Sequence, residues 1–443
     1  MIPAALFAML AINRIGAIHA VVFGGFSPPS LAQRLEASRP RAIMTASCGI
    51  EGGKGVVPYR ELITKAVEKS TFKPWRVIVW QRDQLRWDPL IKEDGERNWQ
   101  RLVKSARNRG LKADAVPIGS NEGIYIIYTS GRRSNSFSTS HKFTNGNITG
   151  TTGTPKGVVR EAGGHAVGLN HSIQYLFGIR GPGDVIFTAS DIGWVVGHSF
   201  IVYAPLLVGA ATVLFEGKPI GTPDAGTFWR IVEEYKVKTM FTAPTALRAI
   251  RREDPDNDFI SEVGRRNGLK SLTALFLAGE RSEPSIVRMY QDLVQKYGAQ
   301  GASVIDNWWS SESGSPITGI AQAALAGKDL TSTAAAKPLR MKPGSAGKPM
   351  PGYDVRIVND DGKEVERGTM GNIVIGVPWS PTGMTTLWKD EERFYRGYLK
   401  RFAGKWMDTG DAGMIDDDGY VSSNPHPLFS PRTNTYNDEC RST

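Results

Sequence analysis

The residues in this chain that most directly suggest chemistry are glycines and hydroxyls in two neighbouring pieces. A strand-like run ending at Tyr128 leads into Thr129-Ser130-Gly131, and further along the chain reads Thr151-Thr152-Gly153-Thr154-Pro155-Lys156-Gly157. With Arg132 to Gly150 set aside, the two pieces close to YTSGTTGTPKG. Glycine lets a backbone approach phosphate closely, successive N–H groups form an anion cradle, and the hydroxyls add further donors. The string does not follow GxxxxGK[ST], so it is not the Walker-type loop. A short Gly/Thr stretch by itself would be a flexible turn, but the joined string is too long and too specific for that reading.

Such a loop needs a scaffold, and the sequence around it alternates between helical and strand patterns. Helices are expected near Pro3 to Ile12, Ser30 to Ser38, Tyr59 to Lys69, Ala162 to Phe177 and Pro223 to Lys236. Between them lie strands near Ala20 to Phe23, Arg41 to Thr45, Trp75 to Trp80, Gly123 to Tyr128, Val185 to Thr188, Ala211 to Phe215, Thr239 to Thr242 and Thr273 to Leu277. This rhythm predicts an α/β body of mainly parallel sheets covered by helices. Tyr353 to Val358 and Gly371 to Ile375, separated by the turn residues Asn359-Asp-Asp-Gly362, predict a smaller antiparallel β region.

Composition narrows the function classes. The 443 residues are 40% hydrophobic and 22% charged, with 49 Gly and 26 Pro, which is globular and loop-rich. Lys and Arg outnumber Asp and Glu by 54 to 44, a formal charge of +10, but the basic residues are scattered and form no run. A nucleic-acid partner is therefore not expected, whereas a positive field suits small anionic substrates. The two cysteines, Cys48 and Cys440, make no disulfide framework, and Cys48 is expected to be structural. No membrane span is expected. Met1 to Leu10 lacks the basic lead-in of a signal peptide, and the apolar run Trp194 to Phe215 is broken by Gly197, Pro205 and Gly209. It reads as a buried helix followed by a buried strand.

The joined loop resembles the signature of the AMP-forming acyl-CoA synthetase and adenylating-enzyme superfamily. Further landmarks resemble the short-chain acyl-CoA synthetases: Phe23-Gly-Gly-Phe-Ser-Pro28, Asp191-Ile-Gly-Trp-Val-Val-Gly-His198, Thr242-Ala-Pro-Thr245, Leu277-Ala-Gly-Glu280, Asp306-Asn-Trp-Trp-Ser-Ser-Glu-Ser-Gly314 and Trp406-Met-Asp-Thr-Gly-Asp411. The resemblance implies the large adenylation domain of that fold, with ATP, Mg2+ and coenzyme A as partners of a short-chain carboxylate. It also implies two half-reactions, acyl-adenylate formation with release of pyrophosphate and then thioester formation with release of AMP. By the same resemblance, Thr129, Ser130, Gly131, Thr151, Thr152, Gly153 and Thr154 contact phosphate, with Thr151 in a catalytic role, and Lys156 is a mobile loop cation of lesser weight. Glu312, which alone would read as a surface glutamate, becomes a Mg2+ ligand, with Ser311 beside it. Asp411 is implied to accept from both ribose hydroxyls, while Gly279, Glu280, Asp306, Asn307 and Trp308 form the nucleotide wall.

The acyl pocket implied by the resemblance is closed by Trp309 and lined by Trp194, Val195, Val196 and Ala278. Acetate-specific relatives carry threonine at the Val196 position and valine at the Ala278 position. The smaller Ala278 leaves room for at least one more methylene, worth about 10- to 200-fold in preference. Propionate is therefore expected over acetate, in keeping with Ser47-Cys-Gly-Ile-Glu51, which looks like the propionyl-CoA synthetase subgroup. Glu51 stands where acetyl-CoA synthetases carry an arginine near the coenzyme A 3′-phosphate.

Three departures from the family pattern accompany the resemblance. The chain starts at a point inside the family's adenylation domain, the Ser/Thr/Asn-rich segment Arg132 to Gly150 interrupts the phosphate loop, and the polar tail from Ser422 to Thr443 replaces the lysine-bearing C-terminal domain. The domain expectation is thus 1–421 as an adenylation domain with insert 132–150, and 422–443 as a tail outside it. Impaired or absent turnover by this chain is expected from these departures. The alternatives are an acetyl-CoA synthetase, a longer-chain adenylating ligase, which Trp309 argues against, and a non-catalytic nucleotide-binding protein. The compartment, mitochondrial matrix or cytoplasm, and the oligomeric state stay open. The clean reading frame across 132–150 fits a retained intron, so transcript sequencing across this junction is expected to find a major species lacking these nineteen codons. Retention of all of them in the major species would reject the intron.

Overall fold

The computed structural model of the chain describes residues 1–51, 55–129, 155–280, 282–322 and 339–424. Its centre is a five-stranded, all-parallel sheet in the order Ser303–Asp306, Ala274–Leu277, Thr239–Thr242, Val185–Thr188 and Ala211–Thr212. The strand sequences TMFT and ALFL are apolar on both faces because helices cover both sides. Amphipathic helices Thr227–Tyr235, Pro244–Glu253 and Pro284–Tyr297 bury Trp229, Leu247, Tyr290 and Val294 against Met240, Leu275 and Val304. On the other face Phe177, Phe200, Phe241 and Phe276 interlock with ring centroids 4.5–6.5 Å apart. Burying each such ring contributes about 1.5–3 kcal/mol.

Parallel register puts the carboxyl ends of these strands side by side: Thr242 is opposite Leu277, and Leu277 is opposite Asp306. Loops leaving that edge are where α/β sheets place ligands. A separate three-stranded parallel sheet holds Ala42–Ala46, Arg76–Trp80 and Glu96–Asn98. Strands Gly123–Thr129 and Lys156–Glu161 pair antiparallel, with Thr129 opposite Lys156, so the ends of the phosphate loop are held together. The smaller β region is a four-stranded antiparallel sheet of Val355–Val358, Gly371–Gly376, Trp406–Ile415 and Val421–Asn424.

Four expectations need correction. Ala20 to Phe23 is not a strand, because only His19 finds a bridge partner, Tyr125, before the Gly24-Gly25 turn. Ala211–Thr212 is shorter than expected and only partly buried, because it is the sheet's edge. The helical stretch before it is continuous from Val195 to Leu207 but widens into a π-helical turn at His198–Tyr203. Ser422 to Asn424 belong to the β region, not to a tail outside it: they pair with Ala412 to Met414, because the Asp416–Gly419 turn folds the chain back onto its own strand. Residues 425–443 lie outside the described residues.

Beneath the paired strands lies a buried group of rings. His19, His165 and His198 pack against Tyr125 and Tyr203, with centroids 4.5–6.3 Å apart. His19 Nε2 meets the Tyr203 hydroxyl at 2.6 Å, and that hydroxyl donates to Asn13 Oδ1 at 2.5 Å. Desolvation pushes all three histidines below the ordinary value of 6.5, His198 to about 4. Unfolded histidines therefore take up protons as pH falls below about 6.5, while the folded ones stay neutral. The contribution of these histidines to stability is fully present above pH 7 and is lost as pH falls below 6.5, for His198 down to about 4, by up to about 1.4 kcal/mol per pH unit for each histidine. Urea titrations at pH 7.5, 6 and 5 are expected to show this loss, with His165→Gln reducing the slope by one histidine's share. An unchanged slope in that variant would remove His165 from the effect.

Candidate active site

The carboxyl edge of the central sheet carries three of the motifs in adjacent loops. The Ala278–Glu280 loop is flanked by the loop after Thr242 and by Asp306–Trp309. Asn307 donates its backbone N–H to Leu277 O at 2.9 Å, yet its side-chain Oδ1 and Nδ2 are buried without a hydrogen-bond partner among the described residues. Thr242 Oγ1 and Thr129 Oγ1 are likewise buried and unpartnered there. Buried polar groups are rarely left unsatisfied, so these atoms fit a site that takes a polar ligand.

Glu312 lies in the turn after Trp309 and is not a surface residue, for its side chain is only 14% exposed. Its carboxylate accepts from the Tyr398 hydroxyl at 2.6 Å, and Lys156 Nζ lies 3.5 Å away. Lys156 Nζ also donates to the Tyr398 hydroxyl at 2.6 Å. The expected mobile loop cation is instead the first residue of a strand, 6% exposed and tied at its tip. Tyr398, from the π-helical turn Tyr395–Leu399, has no signal in the sequence, since no spacing links it to residues 86 and 242 positions away. A bent turn placing one buried hydroxyl is a tertiary feature without a local signal.

Asp411 reaches the site through a bulge. Ile373 alone lies between Asn372, paired with Ala412, and Val374, paired with Asp408, so three residues, 409–411, oppose one. Such an irregularity re-aims a side chain. The Thr409 hydroxyl donates to Ile373 O at 2.6 Å, Gly410 takes φ +71°, and Asp411 Oδ2 accepts from Trp308 Nε1 at 2.9 Å. That bond joins the small β sheet to the Asp306–Trp309 segment at the end of the central sheet. Glu280 faces outward, where Arg248 donates to it at 2.6 Å.

Val195, Val196, Ala278 and Trp309 are brought together in one apolar cluster with Phe200 and Phe241. Trp309 packs on both rings, at 5.6 and 6.3 Å. Trp194 is separate, 45% exposed and stacked on Phe23 at 5.7 Å. Gly279, at φ +104°, starts the turn between this wall and Glu280. Ser130, Gly131, Thr151, Thr152, Gly153 and Thr154 lie outside the described residues, as do 132–150.

The AMP-binding enzyme family profile matches residues 1–132 and 149–384. The chain belongs to the AMP-binding enzyme family. Among curated proteins, it is 40% identical over 421 residues to "Acyl-CoA synthetase short-chain family member 3, mitochondrial" of Rattus norvegicus, covering 95% of this chain and 55% of that protein. It is 39% identical over 424 residues to "Propionate--CoA ligase" of Salmonella typhimurium, covering 95% and 59%. The solved acetoacetyl-CoA synthetase from Streptomyces lividans shares the fold, with a TM-score of 0.75 at 21% identity over 95% of this chain and 56% of that one. The chain thus spans little more than half the length of these relatives. The stretch 133–148 falls between the two matched parts of this AMP-binding chain.

Among the described residues no group of three His, Cys, Asp or Glu side chains could hold a metal ion, and no helix is long and apolar enough to cross a membrane. A lone carboxylate such as Glu312 still fits Mg2+, which is commonly held by one or two carboxylates, waters and substrate phosphates. Removing the bridging hydroxyl with Tyr398→Phe leaves the Lys156 and Glu312 charges one partner short. Urea unfolding is expected to show a loss of about 1.5–3 kcal/mol, and a change below about 0.5 kcal/mol would mean that the bridge is not a stabilising contact.

Proposed function

We propose that residues 1–424 form the adenylation domain, with 132–150 as an insert, of a ligase that activates propionate with ATP and passes the acyl group to coenzyme A. The observation that carries this reading is the gathering of Lys156, Tyr398 and Glu312 where the strand Lys156–Glu161 begins, with Tyr398 in the same apolar cluster as Val195, Val196, Ala278 and Trp309. The relatives named acyl-CoA synthetase and propionate–CoA ligase support it.

In the first half-reaction a substrate carboxylate oxygen attacks the α-phosphorus of ATP, forming the acyl–phosphate bond as pyrophosphate leaves. Thr129, Ser130, Gly131 and Thr151 to Thr154 hold the phosphates through N–H and hydroxyl donors directed at the charge that develops there. Glu312 would hold the magnesium, which when bound neutralises triphosphate charge. Because Glu312 is paired with Lys156 in the structure, that pair has to rearrange when the nucleotide enters. Asp411, Asn307 and Trp308 take the ribose and adenine side. In the second half-reaction the coenzyme A thiol attacks the activated carbonyl, and AMP leaves. A three-carbon acid is supported because Ala278 is a smaller side chain than the valine that the resemblance implies for acetate-specific relatives.

The reading is tested by ATP–pyrophosphate exchange with acetate, propionate and butyrate. It is measured on the chain and on a version lacking 132–150 that is extended by the C-terminal length of a curated relative. Exchange is expected in the second, with propionate preferred over acetate by about tenfold or more. Equal use of acetate and propionate would reject the acyl assignment, and absence of exchange with every acid would reject the ligase. Ala278→Val is expected to shift preference towards acetate by about tenfold, read as the ratio of kcat/KM values for the two acids. An unchanged ratio would take Ala278 out of the pocket.

A further inference from the structure

Alternate residues of a strand share a face, so Lys156, Val158 and Arg160 project to the same side of Lys156–Glu161. Arg160 is 1% exposed, among the largest fully buried side chains of the molecule. Its guanidinium donates to three main-chain carbonyls: Nη1 to Glu312 O at 3.3 Å and to Thr382 O, and Nη2 to Ser311 O at 2.5 Å. Nε donates to the Tyr125 hydroxyl at 3.3 Å. One strand therefore holds Glu312 at both ends, Lys156 at the carboxylate and Arg160 at the carbonyl.

The turn around Glu312 is shaped to receive that guanidinium. Gly314 has φ +71°, and a Cβ there would stand 2.6 Å from Arg160 Cζ. The Ser199 hydroxyl donates to Gly314 O at 2.7 Å, and Met384 N–H donates to Glu312 O at 2.8 Å. A buried cation usually meets a carboxylate, but these Arg160 bonds go to neutral carbonyls, so they fix backbone and leave the Glu312 side chain for other partners. A lysine has one compact ammonium and cannot span three carbonyls as a planar fork does.

We infer that Arg160 is a positioning residue that sets Glu312 at a fixed place relative to the strand Lys156–Glu161. Resting on the proposed role of Glu312 towards magnesium, the inference extends to the metal-dependent part of ATP affinity. The strand acts as a spacer: the phosphate loop ends at Lys156, and four residues later the same rigid element grips the backbone of the metal-binding turn.

Hydrogen exchange and nucleotide binding on the full chain, for wild type, Arg160→Lys, Arg160→Gln and Glu312→Gln, test this. In Arg160→Lys the amides of 308–315 and 382–385 are expected to exchange about tenfold faster or more, while the central sheet keeps its protection. Calorimetry is expected to show that ATP with Mg2+ binds about tenfold more weakly, while AMP stays within about threefold. Unchanged exchange in 308–315 would overturn the inference, as would equal loss of AMP and Mg2+-ATP affinity. If Arg160→Gln does not fold, Arg160→Lys still gives the decisive exchange pattern. If Glu312→Gln keeps the full benefit of Mg2+, the magnesium role of Glu312 fails, while the exchange data still decide whether Arg160 holds the turn.

Discussion

A carboxylate taken out of water must be given other partners, and meeting that need for Glu312 ties the molecule together. Its partners come from distant parts of the chain, Lys156 from the strand that follows the phosphate loop and Tyr398 from the π-helical turn beside the small β sheet. Each hydrogen bond to a charged group is worth about 1.5–3 kcal/mol, and stripping a buried ion of its partner costs about 3–5 kcal/mol. The paired strands, the turn after Ser303–Asp306 and the Tyr395–Leu399 turn must therefore be correctly placed together. Arg160 extends the same arrangement to the backbone of the 311–314 turn and to Thr382.

The site draws its rigidity from strand ends rather than from free loops. Thr242, Leu277 and Asp306 end neighbouring parallel strands, so the loops beyond them start from points fixed by the sheet, in which adjacent strands lie about 4.8 Å apart. The wall of Val195, Val196, Ala278 and Trp309 belongs to the same cluster as Phe200 and Phe241. Altering Ala278 or Trp309 therefore also alters the packing around Phe200 and Phe241. The buried histidine and tyrosine rings add a second dependence, because the core under the paired strands is held by groups that must remain neutral.

Thr129 and Lys156 face each other as the last pair of their ladder, whatever the length of chain between them. Lengthening a loop whose ends are already paired costs little, about 0.6 kcal/mol per doubling.

The alternation of helical and strand patterns, the parallel body and the antiparallel region of 355–376 were legible in the sequence, because periodicity and turn residues are local properties. Partners were not legible. Nothing local distinguishes Glu312 from a surface glutamate, Lys156 from a mobile cation, or Arg160 and Tyr398 from ordinary side chains. Their roles follow from contacts spanning 86 to 242 residues. Likewise Ser422 and Ser423 read as polar tail but pair as strand, because an edge position asks for backbone hydrogen bonds and not for apolar side chains. The sequence by itself determined the elements and the chemical groups available. Only the tertiary structure decided which charges are buried and what satisfies them, because desolvation and hydrogen-bond geometry depend on packing that no short stretch of chain contains.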